Sequence, residues 1–459
     1  MGSVEVTRPL ASPSARLFRR PKASSYLLRA NAPKVRVRPA SIVLYLTVIV
    51  GAVVATAIIR DRPYSDKSID MQVIIRLLGV VWTAVVAIYW SVIRPPSAWT
   101  ARLTPWAIFF VLLTASALWS PNAATALVAT ISMLMILVLC VYSVEINGEF
   151  VSVRAIIWAS LFLCGVSLIL MPIAPDFVSM RGWSDDGFGA INRLRGITPS
   201  ANAIGGVAAI GALLSYAYYP QFRRVGLALP YAMIGVATLT LILADNRMSI
   251  LAAVVSGGVI FLSRGATLLR WALATIAAIS ALLSLTLASD AILYSVSRSG
   301  DTAELTNLTG RTDIWLVALE KIDAAPILGH GYMSAVTILS QDPRLFSAAA
   351  HTHNLFLEIL FSSGLLGLIA FFIALASTIR SFLITSNMAV LAILLFVLIR
   401  GITEASPLNG APNFVIYSLL MMIAIAAARI KRRIRSGRTS GTPNSQRPLT
   451  RHRQNQYGN

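Results

Sequence analysis

The run His351-Thr352-His353-Asn354 opens directly onto an apolar stretch that contains Gly364 and Gly367. An imidazole with an ordinary pKa is a competent general base near neutrality. Three of the four histidines, His330, His351 and His353, fall in residues 290–353, the longest polar interval between hydrophobic stretches. His353 stands at the entrance of the next apolar run and is the candidate base. His351, two residues earlier, is a backup or a spacer. A capping histidine bonded to loop backbone is the plainer alternative. Glu358 lies inside the apolar run, where a carboxylate is costly and needs a partner. It would orient a histidine or an arginine, or be neutralised by one. Close helix packing is a sufficient reason for Gly364 and Gly367.

Arg193, Arg195, Arg247 and Arg311 all border apolar segments on the same side of the chain's layout. Arginine is poorly tolerated near hydrocarbon unless paired or wetted. Its planar fork is also well suited to clamp a phosphate through two parallel charged hydrogen bonds. The alternatives are snorkelling to the interface and salt bridges to Asp185, Asp186, Asp245 and Asp313. Four such arginines near a histidine-bearing loop point to an anionic ligand.

The elements that must hold these groups are membrane helices. Of 459 residues, 56% are hydrophobic and 13% charged, with a mean hydropathy of +0.72. Soluble domains carry about twice that charge. Continuous apolar runs read as spanning helices, and the lack of alternation excludes a β-barrel. The expected fold is an all-α polytopic membrane protein of about twelve helices. The expected spans are 41–59, 71–93, 104–120, 122–144, 154–174, 200–219, 226–244, 249–263, 268–289, 354–378, 383–400 and 412–428. The chain then divides into a basic tail (1–40), nine spans (41–289), a large outer loop (290–353), three spans (354–428) and a second basic tail (429–459). Within the loop, Thr312 to Glu320 reads as an amphipathic helix with Ile314, Val317 and Ala318 on one face, and residues 328–331 read as a turn.

The net charge of +20 follows the positive-inside rule rather than a nucleic-acid pattern. With both termini in the cytoplasm, that side carries 26 basic groups against three acids, Glu5, Glu145 and Glu149. The tails lack interleaved aromatics and flank spans, so they suit topology control and anionic lipid rather than nucleic acid. The N-terminus does not read as a cleavable signal, and residues 434–459 read as a polar disordered tail. Cys140 and Cys164 lie in apolar runs without metal-ligand spacing or a disulfide framework.

These residues resemble a family. His353-Asn354, nine residues, Gly364, two residues and Gly367 match the ligase-type signature of the bacterial O-antigen ligase and polysaccharide polymerase superfamily. Arg247 to Leu251 matches its Arg-x-x-x-Leu signature. The runs at 310–315, 326–331 and 193–202, and Trp119-Ser120-Pro121, are similar to the family as well. Pro199-Ser200-Ala201-Asn202 departs from a direct Pro-Asn, which leaves the role of Asn202 open.

The resemblance implies a GT-C-like fold in the bacterial inner membrane, with the loop periplasmic and no cofactor. It implies a metal-independent, inverting glycosyltransferase acting on an undecaprenyl-diphosphate-linked glycan donor. His353 would activate the acceptor hydroxyl, with His351, Asn354 and Glu358 in support. Arg247 and Arg311 would hold the diphosphate, assisted by Arg193 or Arg195. The acceptor is a growing glycan for a polymerase of exopolysaccharide or O-antigen, or lipid A core for a ligase. The His-Thr-His-Asn form is closer to the exopolysaccharide polymerases. Whether a chain-length regulator takes part is left open. A secondary transporter or flippase is the reading from another class, but it would put charged sites at the bilayer midplane and show inverted repeats. Neither is evident. A pure scaffold would leave the arginines and His353 dispensable.

Overall fold

In lipid every backbone polar group must find its partner within the protein, and helices do this segment by segment. A computed structural model describes residues 39–60, 68–94, 102–184, 187–264, 311–345, 350–408 and 410–439. Pro39–Thr56 (α1), Met71–Ile93 (α2) and Thr104–Ser116 (α3) come first, and a 3-10 turn over Ala117–Trp119 extends α3. Ala123–Asn147 (α4) and Glu149–Leu170 (α5) form a hairpin about Gly148, whose φ of 78° suits glycine. Next come Pro175–Val178 (α6), the strands Ser179–Ser184 (β1) and Gly187–Leu194 (β2), and Ala201–Ala217 (α7). Tyr219–Arg223 (α8), Ala228–Leu243 (α9), Arg247–Ser263 (α10), Arg311–Ala324 (α11) and Ala335–Ile338 (α12) follow. Leu355–Thr385 (α13), Met388–Gly401 (α14) and Phe414–Thr439 (α15) complete the chain.

Eleven of the twelve expected apolar segments are helices. Five of them (α2, α4, α5, α13 and α15) are long and apolar enough to cross a membrane, and six are shorter. The expected span at 268–289, the loop residues 290–310, Asp185, Asp186 and most of both tails lie outside the described residues. Polar residues cap the helices whose first turns meet the site: Ser200 on α7, Asn246 on α10 and Asn354 on α13 each accept a first-turn backbone N–H.

Hydropathy does not separate hub from rim, but packing does. The apolar window of α15 is 89% buried and that of α2 only 22%, although α2 is the more apolar. α15 lies against α4, α13 and α14. α3 packs on α13 through Trp106, Phe109 and Phe371, and Trp106 donates its ring N–H to Thr378 Oγ1 at 2.8 Å. α10 pairs with α14, and α7 with α5 and α9. One feature departs from an all-α fold. β1 and β2 form an antiparallel hairpin with Ser179 opposite Leu194. The sequence carries an Asp-Gly pair here, and Gly187 opens β2 opposite Ser184.

Residues after α10 build a small cap with a core of its own. Val317, Ala318 and Ile322 of α11 and Ala335 of α12 pack with Leu339 on Phe361 of α13. This is the amphipathic face expected from the sequence. Gly364 does not serve the helix packing expected of it. With φ 61° and ψ −163° it breaks α13, and the segment 326–331 docks at the break. Leu365 N–H donates to the Pro326 carbonyl at 2.9 Å, and His330 N–H to the Phe361 carbonyl at 2.8 Å. A Cβ on Gly364 would collide with the Ile327 carbonyl. Trp119 and Ser120 brace the same segment from α3, bonding the Gly329 and Tyr332 carbonyls at 3.1 and 2.6 Å.

Candidate functional site

The histidine turn is held from below. Asn354 caps α13 through the Phe356 and Leu357 amides at 2.9 and 3.1 Å. One turn into the helix, buried Glu358 accepts the Thr352 backbone N–H at 2.9 Å, and the Thr352 hydroxyl lies at the same distance. Trp315 of α11 donates to the Thr352 carbonyl at 2.9 Å. With Thr352 fixed this way, His351 and His353 stand together on its other side. Their ring centroids are 4.0 Å apart, and His353 adopts a φ of 51°, in the left-handed region that non-glycine residues rarely use. Such strain is held in place only by its surroundings. Neither imidazole has a hydrogen-bond partner among the described residues, and His353 Nδ1 is enclosed.

Burial pushes both imidazoles below the ordinary pKa. Burial lowers the His351 pKa below the ordinary imidazole value; Glu404 opposes this and Arg311 adds to it. Burial lowers His353 further, helped by His351 and then Arg311. A neutral imidazole can accept a proton, whereas an imidazolium cannot.

A second network meets this turn. Arg311, the first residue of α11, donates through Nη2 to Glu404 Oε1 at 3.0 Å and through Nη1 to the Thr403 carbonyl at 2.5 Å. Glu404 is 5% exposed and follows the end of α14. Asn202 Nδ2 donates to the same oxygen at 2.5 Å, and Asn202 Oδ1 accepts from Arg193 Nη2 at 3.1 Å. Arg193 also donates to the Ala244 and Asp245 carbonyls at 3.2 and 2.9 Å. Arg400 of α14 donates to Ser249 Oγ at 3.1 Å and to the Asn202 carbonyl at 2.8 Å, while its buried Nη1 has no partner. The two networks join: ligating atoms of His351, His353 and Glu404 all lie within 4.8 Å of one another.

His353, His351, Arg311 and Arg193 therefore converge. Asn354 supports them by donating to the Ile402 carbonyl at 3.0 Å, which ties the histidine turn to the Glu404 segment. Arg247 opens α10 beside Asn246, whose amide lies 3.3 Å from the Asn202 carbonyl. Among the described residues Arg195 bonds elsewhere: its Nε donates to the Phe177 carbonyl at 2.9 Å and its guanidinium lies 5.7 Å over the Phe177 ring. Glu358 holds Thr352 rather than a histidine or an arginine. Of the two expected bridges to Asp245 and Asp313, Arg193 makes the first at 4.0 Å, while Arg311 pairs with Glu404. His330 is part of the cap, with Nε2 at 2.8 Å from the Lys321 carbonyl and its ring against Phe361.

Sequence reasoning missed Glu404 and Arg400 and left Asn202 open. The signal was available: Arg400 and Glu404 are the two charged residues of the whole interval 383–428, and they stand one helical turn apart.

Residues 232–372 match a sequence model of the family described as O-Antigen ligase. No curated protein matches the chain. The matched segment runs from α9 through α13; it contains Arg247, Arg311, His351, His353 and Gly364, and stops short of Arg400 and Glu404. That match, on a bundle of apolar helices, supports the resemblance of this segment to the O-antigen ligase and polymerase superfamily.

Proposed function

We propose that this chain is a polysaccharide polymerase that transfers glycan from an undecaprenyl-diphosphate-linked donor to a growing glycan. The carrying observation is the junction of two unbonded imidazoles with the Arg311–Glu404–Asn202–Arg193 network. The acceptor hydroxyl attacks the anomeric carbon as His353 takes its proton. The bond from that carbon to the diphosphate oxygen breaks, and the configuration inverts. Arg311, Arg193 and Arg247 hold the leaving diphosphate, whose developing charge guanidinium groups stabilise without a metal ion. Glu404 and Asn202 aim the arginines, and Asn354 and Glu358 aim His353. His351 crowds His353 and favours its neutral form. The site faces the periplasm and both termini face the cytoplasm, in keeping with the charge asymmetry. Twelve spans satisfy that even topology.

A ligase that moves finished glycan onto lipid A core is the second reading, because the superfamily holds both activities. The His-Thr-His-Asn form favours the polymerase. Gene deletion followed by sizing of surface and lipid-linked glycans decides between them. Loss of long chains with single repeat units remaining supports the polymerase. Long lipid-linked chains that never reach lipid A overturn it in favour of the ligase. Transfer that stops when a chelator is added at neutral pH overturns the metal-free mechanism.

A further inference from the structure

Buried polar groups find hydrogen-bond partners, and each exception needs a reason. His353 Nδ1 is such an exception, and the half-buried His351 stands beside it. A neutral imidazole has one donor and one acceptor, yet neither ring has a hydrogen-bond partner among the described residues. A carboxylate oxygen of Glu404 lies within 4.8 Å of a nitrogen on each ring. Proton transfer needs one imidazole; a second adds nothing to the removal of one proton. Two imidazoles and a carboxylate facing one point are a ligand set for a borderline metal ion with open positions left over.

We propose that His351, His353 and Glu404 bind one zinc-like divalent ion, and that this ion switches the site off. Nitrogen donors select zinc-like ions over magnesium and calcium, which take oxygen. Tetrahedral zinc would hold its donor atoms about 3.4 Å apart, given bonds of about 2.1 Å. The set closes to that spacing by turning a glutamate and an imidazole. The turn beneath it does not need to move, because Glu358 and Trp315 fix Thr352.

Inhibition follows from what the ion would occupy, and this part rests on the reading of His353 as the base. Zinc on His353 takes the lone pair that would accept the acceptor's proton. Zinc on Glu404 competes with Arg311 and Asn202 for the carboxylate. The transferase would then lose its base and the aim of its anion clamp together.

The test uses the full chain in detergent or nanodiscs, with no histidine tag. Zinc is titrated by calorimetry, and cobalt is titrated as a visible-absorbing stand-in. The expected result is one zinc per chain, weakened more than about tenfold in His351→Gln and in Glu404→Gln. His330→Gln, in the cap, should bind as the wild type does. Wild-type binding equal to that of His351→Gln overturns the ion site. The titration needs no glycan donor, so it decides the site independently of the transferase reading. Transfer is then measured with and without saturating zinc. Wild-type transfer should fall at least about tenfold and return with chelator, while His351→Gln should lose its zinc sensitivity. Zinc binding without inhibition overturns the switch, as does a requirement for the ion. A chain that binds zinc and transfers no glycan overturns the transferase reading and the switch with it, and leaves the ion site standing.

Discussion

Two arginine–glutamate pairs, Arg429–Glu149 and Arg311–Glu404, are treated in two ways. Away from the site, Arg429 grips Glu149 with both prongs at 2.7 Å. Tyr218 and Asn387 add bonds to the same carboxylate at 2.6 and 3.2 Å. Every strong group there has a partner, and the pair ties the start of α5 to α15. At the site, Arg311 reaches Glu404 with one prong and spends the other on a backbone carbonyl. Beside it stand, among the described residues, two imidazoles without hydrogen bonds and a guanidinium with an unpartnered nitrogen. A saturated polar network stabilises a fold, whereas groups that converge and stay unsatisfied are arranged for something that arrives later.

Substitutions test this contrast. The largest effect belongs to His353→Gln. Transfer should fall by about 10²- to 10⁴-fold, the usual worth of a general base, with the unfolding midpoint unchanged. Wild-type transfer from that variant would break the comparison at once. Arg311→Lys keeps the charge but loses the fork, and a charge-assisted bond is worth about 1.5–3 kcal/mol. Steady-state rates should drop by about ten- to a hundredfold, again without a change in unfolding. Glu149→Gln should do the reverse. Removing one partner of a well-bonded pair costs about 1–3 kcal/mol here, less than for a fully buried pair because the Arg429 side chain is 35% exposed. Denaturant midpoints should fall while transfer per folded molecule holds. A kinetic defect in Glu149→Gln with unaltered stability would assign the two pairs the wrong way round. The smallest effect is expected from His330→Gln, which loses one bond to a carbonyl. Stability should fall by about 0.5–1.5 kcal/mol, and transfer per folded molecule should stay within about twofold.

What could be read from the chain was local. His353-Asn354 and Arg311 announce themselves because a histidine at a helix entrance and an arginine beside lipid are informative without their neighbours. Glu404, Arg400 and Asn202 act through partners far along the chain, so their meaning appears only when α7, α10, α11 and α14 meet. A charged pair inside an apolar run was nonetheless visible. Helix positions followed from hydropathy, but rank within the bundle did not, since α2 and α15 differ little in hydropathy and greatly in burial. The hairpin was missed because one short turn signal was set against a chain of helical runs. Gly364 was read as a packing glycine, because spacing reports where a glycine is and not the φ it adopts.

The break at Gly364 makes the preceding stretch, Leu355 to Ser363, a separate strut about 13 Å long. One end is pinned to the histidine turn by Asn354, and the other to the cap by main-chain bonds that no side-chain change can remove. A strut fixed at both ends passes on displacement. On the proposed reading, a cap that lifted to admit a sugar would carry the histidine turn with it, so loading the site and setting the base would be one mechanical event.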